Sequence, residues 1–103
     1  MATVIVLFNL RDGVDPAEYE KWARERDSPT VNGLPSVRRF RLQKASGVLG
    51  SDAAAPYQYI EILDHDGMET LGADLGGEEM QAVAAEFQRF ADNPVFVVTE
   101  QAA

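Results

Sequence analysis

The spacing of apolar residues changes several times along this chain, and each change predicts a new element. Residues 3–8 are apolar or β-branched at both parities, which predicts a strand buried on both faces. Residues 15–18 then give a strong helix start, with an acidic cap, a proline at the first helical position and a glutamate at the capping-box position. Helical spacing then defines one buried face: Tyr19, Trp22, Ala23 and Arg26. Pro29 disfavours helical geometry at the residue before it, so we expect this helix to end near Asp27.

The rest of the chain continues the alternation of strands and helices. Its predicted elements are strands over 37–43, 57–63 and 95–99, and a helical stripe over 66–91 that Gly76-Gly77 interrupts and Asn93-Pro94 ends. A capping-box spacing at residues 66–69 marks the start of that stripe. The resulting order, βαββαβ, predicts a ferredoxin-like α+β fold. We expect one domain over residues 1–103, with a four-stranded antiparallel sheet and its helices on one face.

The predicted sheet is apolar on both faces, although helices can cover only one of them. In the first strand Val4 and Val6 form one apolar set and Ile5 and Leu7 the other, and residues 95–98 repeat this pattern. A sheet with two apolar faces needs a second cover. The simplest cover is another copy of the chain, so we predict a two-fold homodimer in which two sheets pack face to face.

Charge and composition narrow the range of partners. The formal net charge of −8 opposes nucleic-acid phosphates and anionic lipids, so neither a nucleic-acid nor a membrane partner is expected. The initial apolar run lacks a basic region and is too short for a signal peptide or a membrane span. The absence of cysteine removes disulfides and thiol nucleophiles and fits a reducing cytoplasm. No metal-ligand spacing or phosphate-binding loop is present, so we expect no metal and no cofactor.

Asp27 is the first candidate catalytic residue. It lies eight residues after Tyr19 and four after Ala23, which puts its carboxyl on the inward side of the first helix. Burial and the negative end of the helix dipole would both raise the pKa of this carboxyl. A buried carboxylate usually has a partner, a proton to exchange or a ligand. The alternative is a structural role in the turn beside Pro29.

Glu61 is the second candidate catalytic carboxyl. It shares one parity of the third strand with Tyr59 and Leu63, so its side chain could reach a pocket between helices and sheet. The alternative, which is the commoner role for a carboxylate in a strand, is a cross-strand pair with Arg39 or Arg41.

Four further side chains are candidate substrate contacts: Asn9, Tyr19, Trp22 and Tyr59. The rings of Tyr19 and Trp22 are more typical of a core or a pocket wall than of chemistry, and the asparagine could equally serve the turn that follows the first strand. His65 has a side chain suited to acid–base work, but it lies between Asp64 and Asp66 just before a helix start. A solvated loop position is therefore the expectation for this histidine.

Several segments spread over nearly the whole chain resemble one family. They are residues 6–10 (VLFNL), 27–32 (DSPTVN), 56–61 (PYQYIE) and 83–88 (VAAEFQ), together with Asp92-Asn93-Pro94. The chain is similar to the REDY-like HapK family of the dimeric α+β barrel superfamily. This resemblance implies work on a hydrophobic aromatic intermediate of secondary metabolism, such as a pyrrole-type pigment precursor. In EthD-like relatives the first helix ends in a His-x-Pro segment, and here Asp27 takes the place of that histidine.

Two classes of function follow from the residues and the resemblance. The first is a small cofactor-independent enzyme that uses a carboxyl group in a condensation, cyclisation, isomerisation or hydrolysis. The second is a non-catalytic carrier or a dimer that acts through protein contacts. An inward Asp27 beside Glu61 and a tyrosine hydroxyl would favour the enzyme. A cavity lined only by apolar groups would favour the carrier, and a filled interior would favour the protein-contact role.

Overall fold

The computed structural model describes residues 2–103 and has the predicted βαββαβ order. The strands are β1 (Ala2–Leu10), β2 (Val37–Lys44), β3 (Tyr59–His65) and β4 (Ala91–Glu100). The helices are α1 (Pro16–Trp22), a π-helical turn (Ala23–Asp27), α2 (Ser28–Asn32), α3 (Met68–Leu75) and α4 (Glu78–Phe90). The four strands form one antiparallel sheet in the order β2-β3-β1-β4. This order confirms the predicted ferredoxin-like α+β fold.

The core lies between the helices and one face of the sheet. Alternate residues of β1 and β3 point into it because successive side chains of a strand face opposite sides. The ring of Phe8 is fully buried at its centre, with ring centroids of Tyr19 and Tyr59 both 5.6 Å away and that of Phe87 5.0 Å away. Aromatic contacts of this geometry stabilise a core beyond the area that they bury. They fix α1 and α4 against the middle of the sheet.

The first helical region is longer than its sequence predicts. Asp15 caps α1 as expected, since its carboxylate accepts a hydrogen bond of 3.0 Å from the backbone N–H of Ala17. However, the helix does not end near Asp27, because the chain continues through the π-helical turn and α2 as far as Asn32. The prediction was wrong because the wider turn before Pro29 accommodates the proline without ending the helix.

The start of β4 is also different from the prediction. The helical stripe ends at Phe90 rather than at Asn93-Pro94, and β4 begins at Ala91. Asn93 has a positive φ of 44° next to an irregularity in the pairing of β1 with β4. A proline is tolerated there because β4 is an edge strand and its missing N–H removes no interior hydrogen bond.

Two expectations for the end of β3 were wrong. Asp66 does not cap α3, since Gly67 occupies the cap position without a side-chain bond and the Asp66 carboxylate pairs with Arg38 instead. His65 is the last residue of β3 and only 1% exposed, not a solvated loop residue. Local charge predicted a loop, but the strand extends two residues beyond its predicted end and places the imidazole on the core side.

The second face of the sheet carries an apolar surface that none of the described helices covers. Its members alternate with the core residues along three strands: Ile5, Leu7, Ile60, Ile62, Val95 and Val97. On the edge strand β4 both faces are exposed, and Phe96 and Val98 are 55% and 59% accessible. The name outer face is used below for the surface formed by six of these residues: Ile5, Leu7, Ile60, Ile62, Val95 and Val97. Within residues 2–103, no helix has the length and apolar character needed to cross a membrane.

Candidate functional site

A cavity of about 240 Å³ lies between the helices and the core face of the sheet. Most of its wall is apolar and comes from β1 and β2, from α2 and from α3 and α4, including Val6, Phe40, Val31, Leu71, Leu75, Met80, Val83 and Phe87. Its polar lining residues are Asp27, Glu61, Gln81 and Gln88. A dry cavity of about 150 Å³ is enough for benzene, so this one has room for one or two aromatic rings.

Asp27 and Glu61 meet in this cavity from opposite sides. Asp27 is the last residue of the π-helical turn, and Glu61 projects from the middle of β3 between its partners Val6 and Leu42 on the adjacent strands. Each residue is only 5% exposed, and their carboxyl groups are in hydrogen-bonding contact. The structure therefore brings together both residues that the sequence indicates as catalytic.

The cross-strand alternative for Glu61 does not occur. Arg39 lies opposite Asp64 and Arg41 opposite Ile62, on the parity of β2 that points away from Glu61. Pairing in the sheet therefore places both arginines on the other side of the sheet. The glutamate is left to face the cavity and Asp27.

The electrostatics of the pair favour a shared proton. Burial raises the pKa of Asp27 to about 6; the hydrogen bond with Glu61 opposes this rise and the negative charge of Glu86 adds to it. Burial, the charge of Asp27 and the hydrogen bond between them raise the pKa of Glu61 well above its usual range. Two carboxyl groups in one apolar site cannot both ionise easily. Near neutral pH the pair can hold one proton and one negative charge.

No cation among the residues that line the cavity compensates that charge. The neighbouring arginine on the π-helical turn, Arg26, is held by Glu86 through hydrogen bonds of 3.1 and 3.2 Å and by Glu79 at 3.1 Å. The same Glu86 carboxylate accepts a hydrogen bond of 2.9 Å from the indole of Trp22. This network ties α4 to the π-helical turn. The positive charge of Arg26 is compensated by Glu79 and Glu86, and Arg26 is not among the residues that line the cavity.

The hydroxyl of Tyr19 is another polar group close to the pair. Tyr19 is fully buried, and its hydroxyl has no hydrogen-bond partner within the described residues 2–103. Burial, followed by the charges of Glu61 and Asp27, raises the pKa of this phenol. Tyr19 is thus a neutral phenol behind the carboxyl pair, and it is not part of the cavity wall.

The other candidate substrate residues have structural contacts and do not line the cavity. The indole of Trp22 is bonded to Glu86, and the amide oxygen of Asn9 accepts a hydrogen bond of 2.9 Å from the backbone N–H of Gln58. The Tyr59 hydroxyl donates a 2.6 Å hydrogen bond to Glu20, which also contacts Lys44 at 3.3 Å. Tyr59 borders a separate, more polar hollow between α1 and β2.

Sequence reasoning missed the wall formed by the second half of the chain. Leu71 and Leu75 of α3 and Met80 and Val83 of α4 line the cavity, although their helical spacing predicts an ordinary core stripe. The amide side chains of Gln81 and Gln88 had no signal of their own, because glutamine on a helix is usually a solvated residue.

The described residues offer no obvious place for a metal. No group of three or more His, Asp or Glu side chains in residues 2–103 is arranged to hold a metal ion. The carboxyl pair supplies two oxygen-bearing groups in an otherwise apolar wall. The chemistry that these residues offer is proton transfer to and from a bound molecule.

The fold and the cavity define an α+β protein of ferredoxin-like topology with a buried carboxyl pair between its helices and its sheet. Within that class the particular family is clear. The chain belongs to the REDY-like protein HapK family, which it matches over residues 2–102. This match confirms the resemblance found in the sequence. No curated protein matches the chain.

Three solved structures match the chain over nearly its whole length. HapK from Hahella chejuensis is 27% identical with a TM-score of 0.77, and the match covers 100% of this chain and 95% of that one. A dimeric ferredoxin-like protein of unknown function from Thermobifida fusca is 22% identical with a TM-score of 0.74, over 97% and 90% of the two chains. A point mutant of SnoaB, a cofactor-independent oxygenase from Streptomyces nogalater, is 14% identical with a TM-score of 0.79, over 99% and 93%. The last two matches show similarity of fold alone.

Proposed function

We propose that this protein is a small cofactor-independent enzyme that transfers protons to and from a hydrophobic aromatic intermediate of secondary metabolism. The observation that carries this proposal is the contact between Asp27 and Glu61 in an otherwise apolar cavity. Membership of the REDY-like protein HapK family supports the choice of an aromatic substrate, with pyrrole-type pigment precursors as the first candidates.

The carboxyl pair can act as acid and base in one step. The ionised carboxylate removes a proton from a carbon, nitrogen or oxygen atom of the ligand, while the protonated carboxyl donates its proton to a carbonyl oxygen or a leaving group. Such paired action is effective when the two groups ionise at different pH, which burial and mutual repulsion achieve here. A condensation, cyclisation or isomerisation of an aromatic intermediate needs no more than this.

The size and lining of the cavity limit its ligand. A volume of about 240 Å³ admits one or two rings, and the apolar wall favours a molecule with few polar atoms. The negative charge of the pair and the absence of a cation among the lining residues disfavour an anionic ligand. We therefore expect a neutral ring system with one carbonyl, hydroxyl or N–H group directed at the carboxyl pair.

A non-catalytic carrier is the second candidate, because the wall around the pair is mainly apolar. A carrier would bind the same molecules and release them unchanged. The two candidates agree about the cavity and differ about the role of the carboxyl groups, so an experiment that changes only those groups separates them.

The test begins with a thermal-shift screen of one- and two-ring aromatic compounds that includes pyrroles, because a ligand of the folded state raises stability with concentration. Turnover of each hit is then followed by mass spectrometry in the wild type, Asp27→Asn and Glu61→Gln. We expect both variants to keep binding and to lose roughly a hundredfold or more of turnover. Exposed Asp52 provides the matched control, Asp52→Asn. Unchanged turnover in Asp27→Asn would reject the enzyme, and binding without turnover in every protein would favour the carrier.

We further propose that the protein acts as a homodimer through its outer face. Six apolar side chains there are left without a cover by the described helices, and both sides of the edge strand β4 are exposed. Exposed apolar edge strands promote association unless they are covered. The Thermobifida fusca protein of the same fold is described as dimeric. A stable monomer at micromolar concentration, measured by size exclusion with light scattering, would reject this proposal.

A further inference from the structure

The buried side chains of the first helical region repeat every four residues: Tyr19, Ala23, Asp27 and Val31. A regular α-helix turns by about 100° per residue and has about 3.6 residues per turn. Residues eight and twelve positions after Tyr19 would therefore lie about 80° and about 120° away from it around the axis. In a regular α-helix these four side chains would spread over about 120°, which puts Asp27 at the edge of the buried face and Val31 beyond it.

The π-helical turn restores that face. The backbone N–H of Ser28 donates to the carbonyl of Ala23, five residues earlier, instead of to the residue four earlier. A single π-helical turn amounts to one extra residue in the helix. This extra residue rotates the side chains that follow it by about 100° around the helix axis. The rotation returns Asp27 and Val31 to within about 20° of Tyr19.

The sequence immediately after the turn supplies its cause. Pro29 has no N–H, and in a regular α-helix its ring would clash with the carbonyl of Glu25, four residues before it. The hydroxyl of Thr30 donates a 2.7 Å hydrogen bond to the carbonyl of Arg26, so this carbonyl has a hydrogen-bond partner in the widened turn. Burial of the Asp27 carboxyl works against this geometry, because the charged form is less well solvated there. The turn therefore needs a local determinant.

We propose that Pro29 is a positioning residue, which holds the π-helical turn over Ala23–Asp27 and thereby brings the Asp27 carboxyl beside Glu61 in the cavity. Its importance for activity rests on the proposed function, whereas its effect on geometry is independent of it. Pro29 itself does not touch the cavity. It acts through the register of the helix.

The test compares Pro29→Ala with Pro16→Ala, a control at the first position of the same helix. The titration of Asp27 is followed by carboxyl-carbon NMR. In Pro29→Ala we expect the pKa of Asp27 to fall from about 6 towards the ordinary aspartate range, because a regular helix rotates its carboxyl by about 100°, away from Glu61 and to the edge of the buried face. Pro16→Ala should leave that pKa unchanged. A raised pKa that persists in Pro29→Ala would overturn the role of Pro29.

A rescue experiment separates register from general damage to the helix. Deletion of Glu25, an exposed residue in the turn, removes the extra residue. Combined with Pro29→Ala, it leaves a regular α-helix in which Asp27 and Val31 follow Tyr19 by seven and eleven positions, both on the buried face. We expect this double variant to regain the raised Asp27 pKa even if Pro29→Ala alone unfolds. An ordinary pKa, or loss of folding, in the double variant would count against the inference. An ordinary Asp27 pKa in the wild type would instead overturn the carboxyl pair and the proposed function.

Discussion

Removal of the Asp27 charge should stabilise the folded protein at neutral pH, because this carboxyl is buried beside a second acid, with no cation among the residues that line the cavity. Burial raises its pKa from 3.8 to about 6 in the folded state. Each pH unit of such a difference corresponds to about 1.36 kcal/mol, so full ionisation of Asp27 disfavours the folded state by about 3 kcal/mol. This value refers to Asp27 alone, and Glu61, whose pKa burial also raises, adds a cost of its own.

Because the pKa of Asp27 is raised in the folded state, its ionisation lowers stability as the pH rises. Below about pH 3 Asp27 is protonated in both states and contributes nothing. Between about pH 3 and pH 6 the unfolded chain releases the proton while the folded protein keeps it, so stability falls as pH rises. Above about pH 6 the whole loss is present. Acids with lowered pKa, such as Glu86 with its partners Arg26 and Trp22, act in the opposite direction. Only the difference between variant and wild type isolates Asp27.

Asp27→Asn keeps the shape of the side chain and a hydrogen bond to Glu61 but cannot ionise. The free energy of unfolding of the variant should match that of the wild type at about pH 3 and exceed it by up to about 3 kcal/mol at about pH 7.5. Urea denaturation followed by the fluorescence of Trp22, the only tryptophan, measures this difference. Asp52→Asn serves as the control because Asp52 is exposed. A variant that is less stable than the wild type at neutral pH, or a difference independent of pH, would refute the reasoning.

Three other predictions concern the core, the outer face and the ligand. Phe8→Ala removes the ring at the centre of the aromatic cluster, and urea denaturation should show a loss of about 3–5 kcal/mol. Ile62→Lys puts a charge on the outer face and should give monomers in light scattering, whereas Lys21→Ala on the exposed side of α1 should leave the dimer intact. In calorimetry at about pH 8, 2-naphthol should bind more tightly than 2-naphthoate, because the cavity holds a negative charge and no cation among its lining residues. Equal affinities would show that the carboxyl pair does not face the ligand.

The architecture could be predicted from the sequence because it depends on patterns that are local and repeated. Two-sided apolar strands, strong helix starts and glycine interruptions recur along the chain, and together they determine the βαββαβ order. Element ends were less predictable. Pro29 disfavours a helix locally, but burial of Val31 and a wider turn keep the helix going. At the end of β3, neighbouring aspartates suggest a solvated loop, yet pairing with β1 and β2 buries His65.

The candidate site was predictable only in part, because side-chain parity predicts which face of an element a residue lies on but not which residues it contacts. Periodicity placed Asp27 on the inward side of its helix, and parity allowed Glu61 to face the core. Their contact depends on the angle of the helix across the sheet and on the register of β2, which turns Arg41 away from Glu61. Neither the angle of the helix nor the register of β2 can be predicted from a local sequence pattern. The apolar wall from α3 and α4 had the same spacing as an ordinary core, so the cavity itself could not be predicted.

The carboxyl pair is better explained by chemistry than by stability. An aliphatic residue at position 61 would pack beside the buried apolar neighbours Val6 and Leu63 on the core face of the sheet. It would also remove an unfavourable buried charge. No packing contact needs Asp27 to be acidic, because Asn would fill the same space. If Asp27→Asn is more stable and inactive, the natural residues have lower stability in exchange for a reactive site, as in many enzymes. If the variant is more stable and still binds and releases the ligand normally, the pair serves recognition alone and the carrier is the better description.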